Sequence, residues 1–144
     1  MDKYLIIGSI FALLFGVYWY FIKSHDCAGY TSVKGKSLKK YLKPGVLRDL
    51  LENLPEDIWL IDVREEIYYE DGHLPCARNF PFDRVEEWAM HIPMDKKLIL
   101  YCELSYKTQQ VIEYLEKQGF DQMLNWGKLS RWEYDMVSEI EETP

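Results

Sequence analysis

Two short apolar runs, "DIWLIDV" (57–63) and "KLILYC" (97–102), set the strongest limit on how this 144-residue chain folds. Both have strand length and are almost continuously apolar, the pattern of strands covered on both faces. The stretches around them have a different period. In "GVLRDLLENL" (45–54) leucines fall at 47, 50, 51 and 54, and "VEEWAMHI" (85–92) returns to the same helical spacing. "TQQVIEYLEKQGF" (108–120) puts Val111, Ile112 and Leu115 on one face, with Gly119 as a helix stop. "DQML" (121–124) predicts a third strand, and the tail from Lys128 to Ile140 a last helix. Strands alternating with helices imply an α/β fold, a parallel sheet covered on both faces. Apolar residues make up 48% of the chain, enough for one packed domain of this length.

A third apolar run is of another kind. "YLIIGSIFALLFGVYWYFI" (4–22) is 19 residues without a formal charge, between Lys3 and Lys23. As a helix it covers roughly 28 Å, close to the thickness of a bilayer's hydrocarbon core. Tyr4 at one end and Tyr18, Trp19 and Tyr20 at the other are placed as interfacial anchors. The run is long for a signal peptide, and no small-x-small cleavage pattern follows it. The expectation is an uncleaved single-pass transmembrane helix in the cell membrane.

Tyr30 to Arg48 then holds six basic residues and no acidic one. By the positive-inside rule this asymmetry places the C-terminal domain in the cytoplasm. The basic neck suits anionic headgroups, at roughly 1 kcal/mol per basic residue near the surface. The chain thus divides into an anchor (1–23), a basic juxtamembrane linker and domain entry (24–44), and a folded domain (45–144). A net charge of −7 argues against nucleic acid as the main partner.

Cysteine usage narrows the chemistry. Cys27, Cys76 and Cys102 are too few and too irregularly spaced for a disulfide framework, and no CxxC or Cys/His cluster suggests a metal. Cys102 stands out by position, at the end of an expected strand with a helix starting just beyond. In α/β folds ligands bind past the carboxyl ends of strands. Backbone N–H groups of such a turn favour a thiolate, so the expected pKa of Cys102 lies below the ~8.5 of a free thiol. The polar residues Glu103, Ser105 and Lys107 follow it directly, unlike the surroundings of a core cysteine.

Three ordered motifs then resemble the rhodanese-like domain family, over residues 30 to 140. "LIDVREEIYYEDGHLPCARNFPF" is similar to the family's first signature, carried by Asp62, Val63, Arg64, Glu65, Tyr69, Gly72, His73 and Pro75. "LILYCELSYKT" resembles the active loop that opens with a nucleophilic cysteine. "GFDQMLNWGKLSRW" resembles the closing pattern, through Gly119, Phe120, Gly127 and Trp132. The resemblance implies a central parallel sheet of about five strands with helices on both faces. It also implies a sulfurtransferase that carries sulfane sulfur as a persulfide on Cys102 and passes it to a thiol acceptor. Glu103, Leu104, Ser105, Tyr106, Lys107 and Thr108 would form the substrate-binding loop, with no metal or organic cofactor required.

The chain departs from the family pattern at four places. Ser105 stands where a glycine is usual and would be strained if the loop needed a positive φ there. Lys107 replaces an arginine, keeping the charge but losing the planar fork that grips an oxyanion. Cys76 replaces a glycine after the Gly-His-x-Pro turn, and Lys128 replaces a second glycine near the C-terminus. Two other readings compete. A cysteine phosphatase needs an arginine six residues past the cysteine, where this chain has Thr108. A non-catalytic, membrane-tethered binding or scaffold module is the alternative that the altered loop favours. His73 is expected to be a hydrogen-bonded turn residue, Asp62 and Arg64 a structural tie, Trp126 and Trp132 packing residues, and Cys27 an inert linker thiol.

Overall fold

The computed structural model describes residues 3–24 and 26–140, with the side chains of the first helix described over 8–18. Lys3–Ser24 is a continuous helix, α1, of 22 residues. Its described apolar side chains are exposed, among them Phe11, Leu13, Leu14 and Val17. Among the described residues no helix is long and apolar enough to cross a membrane. Of the expected anchors, Tyr18 is exposed, while the side chains of Tyr4, Trp19 and Tyr20 lie outside the described residues.

The domain is built on four strands. After a 3-10 helix at Gly35–Leu42 come α2 (Pro44–Glu52), β1 (Ile58–Asp62), α3 (Glu66–Asp71), β2 (Arg78–Asn79) and the short α4 (Val85–Trp88). β3 (Lys97–Cys102), α5 (Ser105–Lys117) and β4 (Met123–Lys128) complete it. The sheet order is β2-β1-β3-β4, and all three pairings are parallel.

Four strands rather than five is a correction. The would-be fifth lies along β4, where residues 29–34 exchange backbone hydrogen bonds with 121–125. Thr31 and Leu124 form the only antiparallel bridge recorded there, and the segment turns off into the 3-10 helix before a strand develops. That helix buries Gly35 and Leu38 on the domain, so the basic neck's middle is built into the fold as domain entry.

The apolar runs are buried as their pattern requires. Successive residues of β3 point to opposite faces: Leu98, Leu100 and Cys102 join the core under α4 and α5. Ile99 and Tyr101 join the core under α2 and the 3-10 helix. Leu98 to Tyr101 are all fully buried. Fully burying one such side chain stabilises by roughly 1.5–3 kcal/mol, which is why the central strand carries no charged residue after Lys97. α5 begins three residues before the expected start, and Gly119 closes it with φ +102°.

The expected C-terminal helix is also corrected. Only one 3-10 turn forms, at Leu129–Arg131. Arg131 donates hydrogen bonds to the carbonyls of Leu42 and Trp126, and Trp132 meets Trp126 and Tyr134 edge-on. These contacts pull the chain away from a helical path. It bends at Tyr134 and reaches an antiparallel bridge between Val137 and His73, whose N–H and C=O groups bond reciprocally at 2.9 Å. The spacing of Leu129, Trp132 and Met136 has helical form, but its apolar side chains are used against the sheet edge and tail.

Beside the end of β3 the β3–β4 register slips by one residue, so that Tyr101 pairs with Gly127 rather than Trp126. Gly127 has φ +100°, and a Cβ there would lie 2.7 Å from the Ala28 Cβ. A side chain at this bulge meets both a backbone penalty of roughly 1–2 kcal/mol and a clash. Gly127→Ala should therefore lower the urea midpoint by the equivalent of more than about 1 kcal/mol with an unchanged slope. A midpoint equal to that of the wild type would mean that the bulge relaxes freely.

Candidate active site

The carboxyl ends of β1 and β3 are neighbours, so the turns that leave them share one crevice. There Cys102, 3% exposed, forms the floor of a cavity of about 190 Å³. From the β3 side come Glu103, Leu104 and Lys107; from the β1 side come Val63, Arg64, Glu65 and Tyr68. The third wall is the turn at Phe82 and Asp83, held in place because the Phe82 N–H donates to the Val63 carbonyl at 2.9 Å.

Of the expected loop residues, the fold brings Cys102, Glu103, Leu104 and Lys107 together at the cavity. Ser105 and Thr108 do not line it. Ser105 is the first residue of α5, 1% exposed, and its Oγ accepts the Cys27 N–H at 3.2 Å. Its backbone is not left-handed, so the expected strain is absent; among the described non-glycine residues Cys76 alone has a positive φ, at 63°. Thr108 is fully buried with no hydrogen-bond partner for its hydroxyl. Tyr106 is exposed and does not line the cavity.

Sequence reasoning missed Tyr68, Phe82 and Asp83 as cavity residues. The parallel pairing of β1 with β3 is the signal for the β1 side, since residues just past both strand ends must meet. Nothing local marks Phe82 and Asp83, which arrive through a tertiary hydrogen bond.

Asp62 and Arg64 form the expected structural tie. The guanidinium meets both carboxylate oxygens, with Nη2 to Oδ2 at 2.7 Å and Nε to Oδ1 and Oδ2 at 3.1 and 3.0 Å. Nη2 also donates to the Gly72 carbonyl. His73 is a turn residue as expected: its Nδ1 lies 2.8 Å from the Tyr69 carbonyl and its ring stacks on Tyr69 at 3.8 Å. Trp126 is buried, donating to the Tyr41 carbonyl, and is a packing residue. Cys27 lies partly buried beside the start of α5, where burial, and then the charges of Asp26 and Glu113, push its thiol up.

The electrostatics of Cys102 reverse the expectation. Burial pushes its thiol above the usual cysteine value, and the Asp62 carboxylate adds to this. The N–H groups of Leu104 and Glu103 and the charge of Lys107 act in the opposite direction but do not overcome burial. The helix start was expected to decide the matter, but desolvation of a nearly enclosed thiol is the larger effect. The cavity also carries more negative than positive charge. Glu65, Asp83 and Glu103 line it, Arg64 is committed to Asp62, and Lys107 lies 5.9 Å over the Phe82 ring.

A crevice at the carboxyl ends of a parallel sheet, with one thiol under two loop N–H groups, has known counterparts. The Rhodanese-like domain model matches residues 43–132. The chain belongs to the rhodanese-like domain family. The Bacillus subtilis uncharacterized protein YqhL is 35% identical over 74 residues, covering 51% of this chain and 59% of YqhL. The putative sulfurtransferase YtwF of Bacillus subtilis is 28% identical over 94 residues, 65% of this chain and 90% of that protein. A sulfurtransferase of Allochromatium vinosum is 30% identical over 70 residues, 49% of this chain and 65% of its own length. The match thus spans less than two thirds of YqhL and of the Allochromatium protein.

Among solved structures, the Alr3790 protein from Anabaena sp. superposes with a TM-score of 0.59 at 22% identity, over 67% of this chain and 91% of that one. A rhodanese with anions from E. coli superposes with a TM-score of 0.51 at 26% identity, over 56% and 98%. These structures share the fold, and two of the relatives carry the names sulfurtransferase and putative sulfurtransferase.

The raised thiol has a measurable sign. At pH 7 the thiolate fraction of Cys102 should be smaller than that of N-acetylcysteine, and its iodoacetamide alkylation should rise along a curve whose midpoint lies above that of the free thiol. Lys107→Met removes a neighbouring cation and should move the midpoint further up. Mass-spectrometric alkylation rates across pH 6 to 11 (about 0.5 apart) give both curves. A Cys102 midpoint below that of N-acetylcysteine would mean that the loop dipoles outweigh burial.

Proposed function

We propose that this chain is a membrane-anchored sulfurtransferase that moves sulfane sulfur through a persulfide on Cys102. The observation that carries this reading is the placement of Cys102 at the carboxyl end of β3, open to a cavity, with the Glu103 and Leu104 N–H groups directed at its sulfur. In the loading step the Cys102 thiolate attacks the outer sulfur of a donor. With thiosulfate, the donor's S–S bond breaks, sulfite leaves with the electron pair, and Cys102 becomes a persulfide anion. In the unloading step an acceptor thiolate attacks the terminal sulfur, and the Cys102 thiolate leaves. No electrons are gained or lost overall.

In this scheme Glu103 and Leu104 stabilise the anion through their N–H groups, and Lys107 supplies the cation. Ser105, Tyr106 and Thr108 act through the backbone of the first turn of α5, whose positive end faces the site. A donor with less negative charge than thiosulfate suits the acidic cavity better. The partners are thus a sulfane-sulfur donor, a thiol acceptor and a membrane. Support for the membrane is the 19-residue uncharged run between Lys3 and Lys23, and the exposed apolar side chains along the described part of α1. The basic residues from Lys34 to Arg48 favour anionic headgroups and a cytoplasmic domain.

Two outcomes test this reading. Full-length protein exposed to a polysulfide or thiosulfate should gain one sulfur atom by intact mass, and Cys102→Ser should gain none while unfolding at a similar temperature. Cys27→Ser and Cys76→Ser should still load. Sulfur gained by Cys102→Ser would move the nucleophile elsewhere, and no gain in the wild type would leave the binding-module reading.

Topology is tested separately. Protease added outside right-side-out vesicles should leave the domain whole until the membrane is permeabilised. Digestion without permeabilisation would place the domain on the other side.

A further inference from the structure

A second, larger depression adjoins the Cys102 cavity. It has a volume of about 540 Å³ and shares Glu103 and Leu104 with the smaller cavity as a common wall. Its remaining sides come from the C-terminal segment: Leu129, Trp132, Tyr134 and Met136. Trp132 is fixed there by edge-on contacts to Trp126 and Tyr134, with ring centroids 6.3 and 5.1 Å apart, and by its indole N–H bonding to the Asp135 carbonyl. Met136 is 50% exposed and rests beside Gly72. Past Arg131 the C-terminal segment is irregular rather than helical, and in that path Trp132 and Tyr134 both line the depression.

We propose that this depression is the acceptor subsite: it binds the body of a small thiol that is apolar and carries no negative charge, and so directs its sulfur over the shared wall to Cys102. The inference rests on the sulfur-transfer reading and adds the chemical class of the acceptor. Three features select that class. The volume lies within the ~300–1,000 Å³ that small organic ligands occupy. Beside Glu103 and Ser130, the walls are two aromatic rings, two leucines and a methionine, which gain from burying apolar surface. The one charged lining residue is Glu103, at the junction through which the sulfur must pass, and it disfavours an anionic body.

In the step itself the bound thiol gives up its proton, which the Cys102 persulfide anion takes through solvent, and its sulfur attacks the terminal sulfur of the resulting Cys102–S–SH. The S–S bond to Cys102 breaks as the new S–S bond forms. The products are the Cys102 thiolate and R–S–SH.

The test uses full-length protein in detergent, loaded with polysulfide and then mixed with benzyl mercaptan or 2-mercaptoethanol under single-turnover conditions. The concentration giving half-maximal unloading should be at least about tenfold lower for benzyl mercaptan. Met136→Glu, at an exposed position, and Trp132→Ala should each shrink that preference at least about fivefold. Partition of the thiol into detergent is common to all three proteins and cancels in the comparison. A wild type with equal half-maximal concentrations for the two thiols, or a preference unchanged in Met136→Glu, overturns the subsite. Failure of the wild type to gain sulfur in the loading step overturns the underlying reading as well, so intact mass before mixing tells the two failures apart.

Discussion

Asp62 is fully buried at the end of β1, where a lone carboxylate would be driven out of the fold or neutralised. It is held because Arg64, two residues on, turns back and meets both its oxygens, and because the Arg64 backbone N–H adds a further bond to Oδ1. Breaking such a buried pair leaves an uncompensated charge at a cost of about 3–5 kcal/mol. The pair organises more than itself. Arg64 also holds the Gly72 carbonyl, and the Asp62 carbonyl receives the Phe80 N–H and the Asn79 side-chain amide. The ion pair and the backbone carbonyls beside it therefore hold both chain segments that pass the β1 end, and through the Val63 carbonyl the Phe82 wall of the cavity.

The same pair shapes the site's electrostatics. With Arg64 spent on Asp62, its guanidinium is not a free fork for an anion, and Asp62 itself pushes the Cys102 thiol up. Tyr101, one residue before Cys102 on the other face of the sheet, is likewise pushed well up by burial and by Asp62, so its hydroxyl stays protonated and accepts the Leu74 N–H. The central strand thus ends in two neutral acids, one on each face. The Cys102 face opens to the smaller cavity.

What could be read in the sequence follows from how local each cause is. β3 and α5 depend on a dense apolar run and on a one-faced helical repeat, and both lie where the pattern puts them, α5 starting three residues early. Cys102, Glu103, Leu104 and Lys107 meet at the cavity because the strand end and helix start fix them together. The tail failed for a reason that no window of sequence contains: Arg131 and Trp132 answer to Leu42 and Trp126, each held by a different part of the chain. The pKa of Cys102 failed similarly, because the helix start is visible in the sequence and the degree of enclosure is not. Ser105 looked strained when judged by what a glycine would do there; as the first residue of α5 it needs no unusual backbone.

An enclosed, poorly ionised thiol with acidic neighbours is not a contradiction of sulfur-transfer chemistry. A thiolate of higher pKa is intrinsically more nucleophilic, so part of what is lost in thiolate fraction returns in reactivity. If Cys102 carries sulfur as proposed, the terminal atom of the persulfide extends away from the floor toward the loop N–H groups and Lys107, leaving part of the desolvation behind. Glu65, Asp83 and Glu103 then surround an anion, and they oppose the approach of a second one. An acceptor cannot be drawn to such a site by charge. The attraction has to come from elsewhere on its surface, and the surface next to Glu103 and Leu104 that offers it is apolar, with Trp132 at its centre.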